Sequence, residues 1–317
     1  MGRSLGEETS RLDIAAKAGW LYYVAGKTQE EIAQILKLSR PSVQRLVSLS
    51  MSAGLVKMRI DHPISSCMEL ADELKAKFGL SFAEVTLSDP TSASTVLGIA
   101  EACASEMERR LSGSEPTVLA VGTGRTLKEA VKRMPSMHCP QHRIVSLAGN
   151  VGLDGSASVY NVVFSMADKV QAPHYPMPVP VVASSPEERT LLHELSGVRS
   201  TLQLAMDAQS AFVGIGDVGP QAPLVLDGYI TPDEVAEVQK AGAVGEICGW
   251  LYDAGGTILD CAFNARVASV PIPSVDRCEV IAVAMGPAKK PALAAALGRL
   301  VNGVITDERT ARSLLGR

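Results

Sequence analysis

The chain contains no run of about twenty apolar residues, so no membrane-spanning helix is expected. Its opening residues, MGRSLGEETSR, lack the apolar stretch of a secretory signal, and a cytoplasmic location is the expectation. No CxxC pair occurs among the six cysteines. Cys67, Cys103, Cys139, Cys248, Cys261 and Cys278 are widely scattered, which argues against both a zinc site and a disulfide framework. The five histidines, His62, His138, His142, His174 and His193, show no metal spacing either. His138 and His142 stand four apart, but Pro140 between them disfavours the helix that such a pair needs. The GxSxG elbow of a serine hydrolase is missing, as is the GxxxxGK[ST] phosphate loop. There is no internal repeat and no low-complexity tract. No metal, no cofactor and no catalytic residue is therefore predicted.

What the chain does hold is apolar substance. With 317 residues, 46% of them hydrophobic and only 20% charged, it can bury a large core, and two domains are expected. The net charge of −4 argues against a nucleic-acid partner until its distribution is considered. Residues 1–60 carry nine Lys/Arg against five Asp/Glu, an excess of four positive charges, while the remainder carries 21 against 29. The basic excess is modest, so one copy would hold phosphate weakly and an oligomer would multiply the contacts.

That basic region contains a helix-turn-helix pattern at residues 28–60. Ile32, Ala33 and Leu36 share one helical face, Leu38 is placed to plug the turn, and Val43, Leu46 and Val47 begin a second face after a break too short for a loop. Thr28 with Glu31 three residues later forms a capping box, Ser39 is expected to cap the second helix likewise, and Pro41 is tolerated in its first turn. A preceding helix over residues 10–25 supports the pair. The expected DNA contacts are Thr28 and Gln29 at the start of the first helix and Arg40, Ser42, Gln44 and Arg45 on the second, types that reach base edges and phosphates from a major-groove helix. The alternative is a surface helical hairpin with solvated charges. Residues 55–60 then alternate Val56, Met58 and Ile60 against Lys57 and Arg59, the period of a short strand.

At Asp61–Pro63 the character changes, and the domain boundary is placed here: residues 1–61 form a small all-α DNA-binding domain and 62–317 a large α/β domain. An amphipathic helix carries Ile64, Cys67, Leu70, Leu74 and Phe78. From Phe82 onward, strand-like runs (FAEVTL, TVLAVG, HRIVSLAG, VPVVA, AFVGIG, VIAVAMG, VITDE) alternate with helical stretches, among them 94–111, 127–134, 186–195, 232–241 and 290–301. This alternation predicts a mainly parallel sheet with helices on both faces.

In such sheets ligands gather beyond the carboxyl ends of the strands. Gly122-Thr123-Gly124-Arg125-Thr126 lies between a strand and a helix, with glycines that admit close backbone approach and with hydroxyls and an arginine that suit an anion; a plain tight turn is the alternative. Gly214–Gly219 matches GxGxxG, but Pro220 and QAPLVLDGY follow where a dinucleotide fold needs a helix, so a nicotinamide or flavin site is rejected. Glu246 and Asp253, on later bends, are candidate acceptors for sugar hydroxyls, and Lys289 for an anion, with ordinary turn chemistry and a solvated lysine as the alternatives.

The segments AGWLYYVAGKTQEEIAQILKLSRPSVQRLV, VGTGRTL, GIGD, GAVGEICGWLYDAGG, VIAVAMGPAKKPALAAAL and VNGVITDERTARSLL, in this order, resemble the SorC family of bacterial sugar-binding transcriptional regulators over nearly the whole chain. The resemblance implies a DNA-binding domain joined to an effector domain with the fold of glucosamine-6-phosphate deaminase, ribose-5-phosphate isomerase and the CoA transferases. It also implies a homodimer or homotetramer that responds to a sugar, polyol or sugar phosphate. Carried onto this chain, Gly122–Thr126 becomes the phosphate-facing loop, Lys289 the lysine for an anionic end, Glu246 an acidic pocket position, and Gly149–Gly152, with Asn150, a second pocket loop. Some relatives hold Lys or Arg in that second loop and this chain holds neither, so no Schiff base is expected and recognition of a phosphate end is weakened. Met285 stands where relatives tend to have a glycine and is expected to narrow the pocket. The expected function is a regulator of a carbohydrate or polyol operon, binding double-stranded operator DNA under effector control. The rival is an isomerase- or deaminase-like enzyme with an accessory N-terminal domain, for which Asp217, Glu246 or Asp253 would be the acid/base groups.

Overall fold

The computed structural model describes residues 5–56, 65–88, 96–152, 155–158 and 160–317. The chain divides into two compact units, Met1–His62 and Pro63–Arg317.

The first unit holds three helices, α1 (Leu5–Tyr23), α2 (Gln29–Leu36) and α3 (Arg40–Ser52). Ala18, Leu21, Ile32, Ala33, Val43 and Val47 form its core, with Tyr23, Leu36 and Leu46 packed against it. Burying one such aliphatic side chain contributes roughly 1.5–3 kcal/mol, and a core this small depends on each of them. α1 and α3 approach closely at Gly19, where a Cβ would lie 2.4 Å from Ser50 Oγ. Both halves of the capping box form: Thr28 Oγ1 accepts the Glu31 N–H and the Glu31 carboxylate accepts the Thr28 N–H. α2 ends at Lys37, whose φ of 54° is left-handed. Two expectations need correction. Ser39 makes no side-chain cap bond and pairs instead with the Ser42 hydroxyl at 2.9 Å. Leu38 does not plug the turn; it is 37% exposed, because the left-handed residue before it turns the chain outward. Of the strand predicted over residues 55–60, Leu55 and Val56 lie in a turn, and 57–60 fall outside the described residues.

The second unit opens with α4 (Ser65–Phe78), β1 (Phe82–Thr86), α5 (Val96–Leu111), β2 (Val118–Val121), α6 (Arg125–Arg133), β3 (Arg143–Val151), α7 (Val162–Val170) and β4 (His174–Pro180). It continues through α8 (Pro186–Glu194), α9 (Ser196–Met206), β5 (Ser210–Gly214), β6 (Gly216–Asp217), α10 (Pro223–Leu226), α11 (Pro232–Lys240), β7 (Gly245–Ile247) and β8 (Trp250–Tyr252). β9 (Glu279–Val283), α12 (Lys290–Ala296), β10 (Gly303–Asp307) and α13 (Glu308–Leu315) complete it. Seven strands form a parallel sheet in the order β1-β10-β9-β5-β2-β3-β4. Alternation along each strand splits the core in two. Leu119, Val121, Phe212, Ile281 and Val283 face α5, α6 and α7, while Ala120, Val213 and Ala282 join the core containing residues of α4, α9, α12 and α13. β6, β7 and β8 form a separate antiparallel sheet, flanked by a third core around Leu224, Val235, Trp250 and Phe263.

The chain runs from β2 outward to β3 and β4, then returns to place β5 on the other side of β2. The order reverses between β2 and β5, and the strand ends part there, leaving a crevice. α7, α9 and the small sheet were not among the elements expected from the sequence. The helix expected over 290–301 stops at Ala296, since Gly298 takes φ 73° and a Cβ there would lie 2.2 Å from the Phe78 carbonyl oxygen.

Candidate functional site

At this switch point a cavity lies beyond the ends of β2, β5 and β9. From β2 come Thr123 and Gly124, followed by Arg125, Thr126 and Leu127 on the first turn of α6; from β5 come Gly214 and Ile215; Val283 ends β9. Gly124 has φ 120° as the residue before α6, a conformation that glycine adopts without the cost of a Cβ. No side chain caps α6, so its first amides are available to an oxygen-bearing ligand.

The small sheet supplies the opposite wall. β7 and β8 are joined through Cys248 and Gly249, with φ of 51° and 92°, a two-residue hairpin turn in which both residues are left-handed. The turn brings the Gly249 N–H to the Glu246 carboxylate at 2.9 Å. Glu246 pairs across the strands with Gly216, and there is no room there for more than glycine: a Cβ on Gly216 would stand 2.1 Å from Glu246 Oε1. Burial pushes the Glu246 carboxyl above its ordinary range against the lowering influence of the Gly249 N–H and Lys289; Asp217 and Asp227 push it further up. Lys289 enters from the turn after β9. Burial lowers its pKa, opposed by Glu246 and Asp217, with Arg125 adding to the lowering. Tyr160 donates its hydroxyl to both Asp227 oxygens at 3.0 Å, joining two lining segments, and burial followed by that carboxylate pushes its phenol up to about 12. Tyr229 and Cys248 complete the polar lining, both with pKa raised chiefly by burial.

The structure thus brings together Thr123, Gly124, Arg125, Thr126, Glu246 and Lys289 around one cavity. Three other candidates lie elsewhere. Gly122 sits beneath it, its N–H given to the Phe212 carbonyl, with a hypothetical Cβ only 3.1 Å from Cys248 Sγ. Asn150 turns its amide onto the Ala148 carbonyl and is not in the lining. Asp253 accepts the N–H groups of Gly255 and Thr257, so its carboxylate serves its own turn. Met285 packs against the α5–α7 core rather than narrowing the cavity. Tyr160, Asp227, Tyr229 and Cys248 were missed. They stand in irregular segments or turns where only contact in the folded chain reveals them. Chemically the site offers amides and hydroxyls to ligand oxygens, and carboxylates to ligand hydroxyls, the complement of a small polyhydroxylated molecule.

In the first unit, Thr28, Arg40, Gln44 and Arg45 are exposed and Gln29 and Ser42 half-buried. Thr28 is held by Glu31, and Arg45 Nε donates to the Pro41 carbonyl at 3.2 Å. No helix among the described residues is long and apolar enough to cross a membrane, and no cluster of three or more His, Cys, Asp or Glu that could hold a metal ion occurs among them.

Comparison with known proteins extends this picture. A family model described as "Putative sugar-binding domain" matches residues 62–316. The chain is 35% identical over 306 residues to the erythritol catabolism regulatory protein EryD of Brucella abortus, covering 96% of both chains. It is 31% identical over 330 residues to the transcriptional regulator LsrR of an Enterobacter species, covering 99% of this chain and 95% of that one. Among solved structures, the full-length sorbitol operon regulator SorC of Klebsiella pneumoniae superposes with a TM-score of 0.75 at 23% identity, covering 96% of this chain and 98% of that chain; this likeness speaks for the fold.

Proposed function

Since the chain belongs to the SorC family of sugar-binding transcriptional regulators, we propose that the cavity between β2, β5 and the small sheet is its effector site, and that its occupant sets the affinity of the first unit for operator DNA. The observation that carries the reading is the union, at the switch point of the sheet, of an uncapped helix N-terminus, two cations and two carboxylates around one cavity. Relatives of similar length are named an erythritol catabolism regulatory protein and a deoxyribonucleoside regulator, which supports a small carbohydrate, polyol or derivative as the effector.

The DNA contacts are Thr28, Gln29, Arg40, Ser42, Gln44 and Arg45, in a cytoplasmic homodimer or homotetramer. Two recognition helices bind half-sites a whole number of helical turns apart. An effector that prefers one arrangement of the oligomer shifts operator affinity by the difference in its affinity for the arrangements. Because the named relatives are regulators, no turnover is assigned to the carboxylates. The test is a thermal-shift screen of the full chain against sugars, polyols and their phosphates. Binding at 100 times the dissociation constant stabilises by about 2.7 kcal/mol. If no compound of these classes shifts the transition, or if one is turned over, the reading fails.

A further inference from the structure

We infer that the corner where α8 meets α9 is a docking surface for a second copy of this chain, forming a twofold contact in the homo-oligomer proposed above. This surface presupposes the oligomer and not the effector site. None of the residues of α8 is buried. Leu192 packs partly against the large core, but Leu191 is 65% exposed and Leu195, just past the end of the helix, 55%. A single leucine in solvent is ordinary. Two of them four residues apart, on a helix with no buried face, form an apolar patch of the kind that marks an interaction site.

A nine-residue helix is too short to hold its shape alone, so α8 depends on what fixes its inner side. Ser185 Oγ accepts the Glu188 N–H, and the Glu188 carboxylate accepts the Ser184 N–H at 2.6 Å. Arg189 Nε donates to the Val267 carbonyl at 2.7 Å, with its guanidinium 5.6 Å from the centre of the Trp250 ring. His193 Nε2 donates to the Ala268 carbonyl at 2.9 Å. These polar contacts set the helix in one orientation and display Leu191 outward. Trp250 adjoins Gly249 of the cavity lining, so one helix separates the outer face of α8 from the cavity wall.

The charges point to a second copy as the occupant. Glu187, Leu191, Leu195 and Arg199 follow one another at intervals of four, all exposed, with an acid at one end, a base at the other and the leucines between. The chain bends at Leu195, whose ψ of 132° ends α8 and opens α9, and the Arg199 N–H bonds to the Leu195 carbonyl at 2.9 Å, one turn on. Neither Glu187 nor Arg199 has an ion pair among the described residues. Such an order complements itself read backwards. In an antiparallel twofold arrangement Leu191 meets Leu195 of the second copy and Glu187 meets its Arg199, and each contact is made twice. The leucines supply the attraction, and the exposed charges set the orientation. A different protein would have to present the reversed order; a second copy already carries it.

The experiment is analytical ultracentrifugation of the full-length chain over a dilution series, with circular dichroism on every variant. The wild type is expected to self-associate. Leu191→Glu is expected to weaken the contact at least about tenfold and lower the assembly by one step, from tetramer to dimer or from dimer to monomer. Glu187→Arg should weaken it several-fold, and Glu187→Arg combined with Arg199→Glu should restore it. If Leu191→Glu fails to fold, the charge reversal decides alone. Wild-type assembly in folded Leu191→Glu overturns the inference, whether the first unit of the same chain or a different protein covers the face. So does a double reversal that associates no more tightly than Glu187→Arg. A wild type that stays monomeric at every concentration removes the proposed homo-oligomer and this contact with it, and the thermal-shift screen then judges the effector site separately.

Discussion

Replacing Gly216 with alanine should disable the effector site while sparing the fold. Gly216 faces Glu246 across the β6–β7 pair, and the added Cβ would stand 2.1 Å from Glu246 Oε1 and 2.7 Å from Cγ and Cδ. Contacts under 3 Å cannot persist, and the element most free to move is the carboxylate. It must swing away and surrender the Gly249 N–H. For stability the loss is about 1.5–3 kcal/mol for a bond to a charged group, partly offset because the displaced carboxylate escapes unfavourable burial. For the effector, loss of one charged acceptor costs a similar amount, and at 1.4 kcal/mol per decade this is roughly a tenfold to hundredfold rise in dissociation constant. Titration calorimetry on Gly216→Ala, with circular dichroism to verify the fold, measures it. The cycle with Glu246→Ala isolates the route: if Gly216 acts through Glu246, adding Gly216→Ala to Glu246→Ala costs nothing further. Wild-type effector affinity in folded Gly216→Ala, or full additivity in the cycle, would refute the reasoning.

Other variants divide the two units. Gln44→Ala or Arg45→Ala should weaken operator binding by about 1–3 kcal/mol in fluorescence anisotropy and leave the effector-induced thermal shift intact; the opposite pattern would remove them from the DNA surface. Gly19→Ala sets a Cβ 2.4 Å from Ser50 Oγ and should destabilise the first unit by about 1–3 kcal/mol, seen as loss of DNA affinity with unchanged effector calorimetry. The pH profile of stability tests Glu246. Its folded pKa is raised, so as pH climbs from the ordinary 4.5 through the raised value the unfolded chain ionises first and the fold loses stability. Glu246→Gln, which keeps an oxygen for the Gly249 N–H, should therefore raise the melting temperature at pH 7 and do so less at pH 4; an equal shift at both would contradict the assigned burial effect.

How much was legible beforehand depended on whether the signal was local. Ile32, Ala33, Val43 and Val47 announced their helices by spacing, and Thr28 with Glu31 announced a cap, because each pattern acts within a turn or two of chain. Ser39 carried the same residue type and failed, since the Ser42 hydroxyl competed for it. The parallel strands showed as apolar runs because both faces are covered. α9 was hidden because it follows α8 across a single residue, Leu195, so that the two look like one helix and its aftermath. In the site, Thr123–Thr126 stood out as a strand-to-helix turn, but Asp227 and Tyr160 met across 67 residues of chain and carried no mark of their meeting. Asn150 and Asp253 look polar and loop-borne in the sequence; the fold turns each onto neighbouring backbone.

The central claim is that occupancy of the cavity governs DNA binding. Its most direct test is the affinity of the full chain for the promoter of its own operon, measured by anisotropy with and without a saturating compound chosen by thermal shift. The account predicts a change of about five- to 150-fold, the range of typical allosteric coupling, that disappears in Lys289→Ala and Thr123→Val while their operator affinity without ligand stays at the wild-type value. An operator affinity indifferent to every compound that binds the cavity would contradict it.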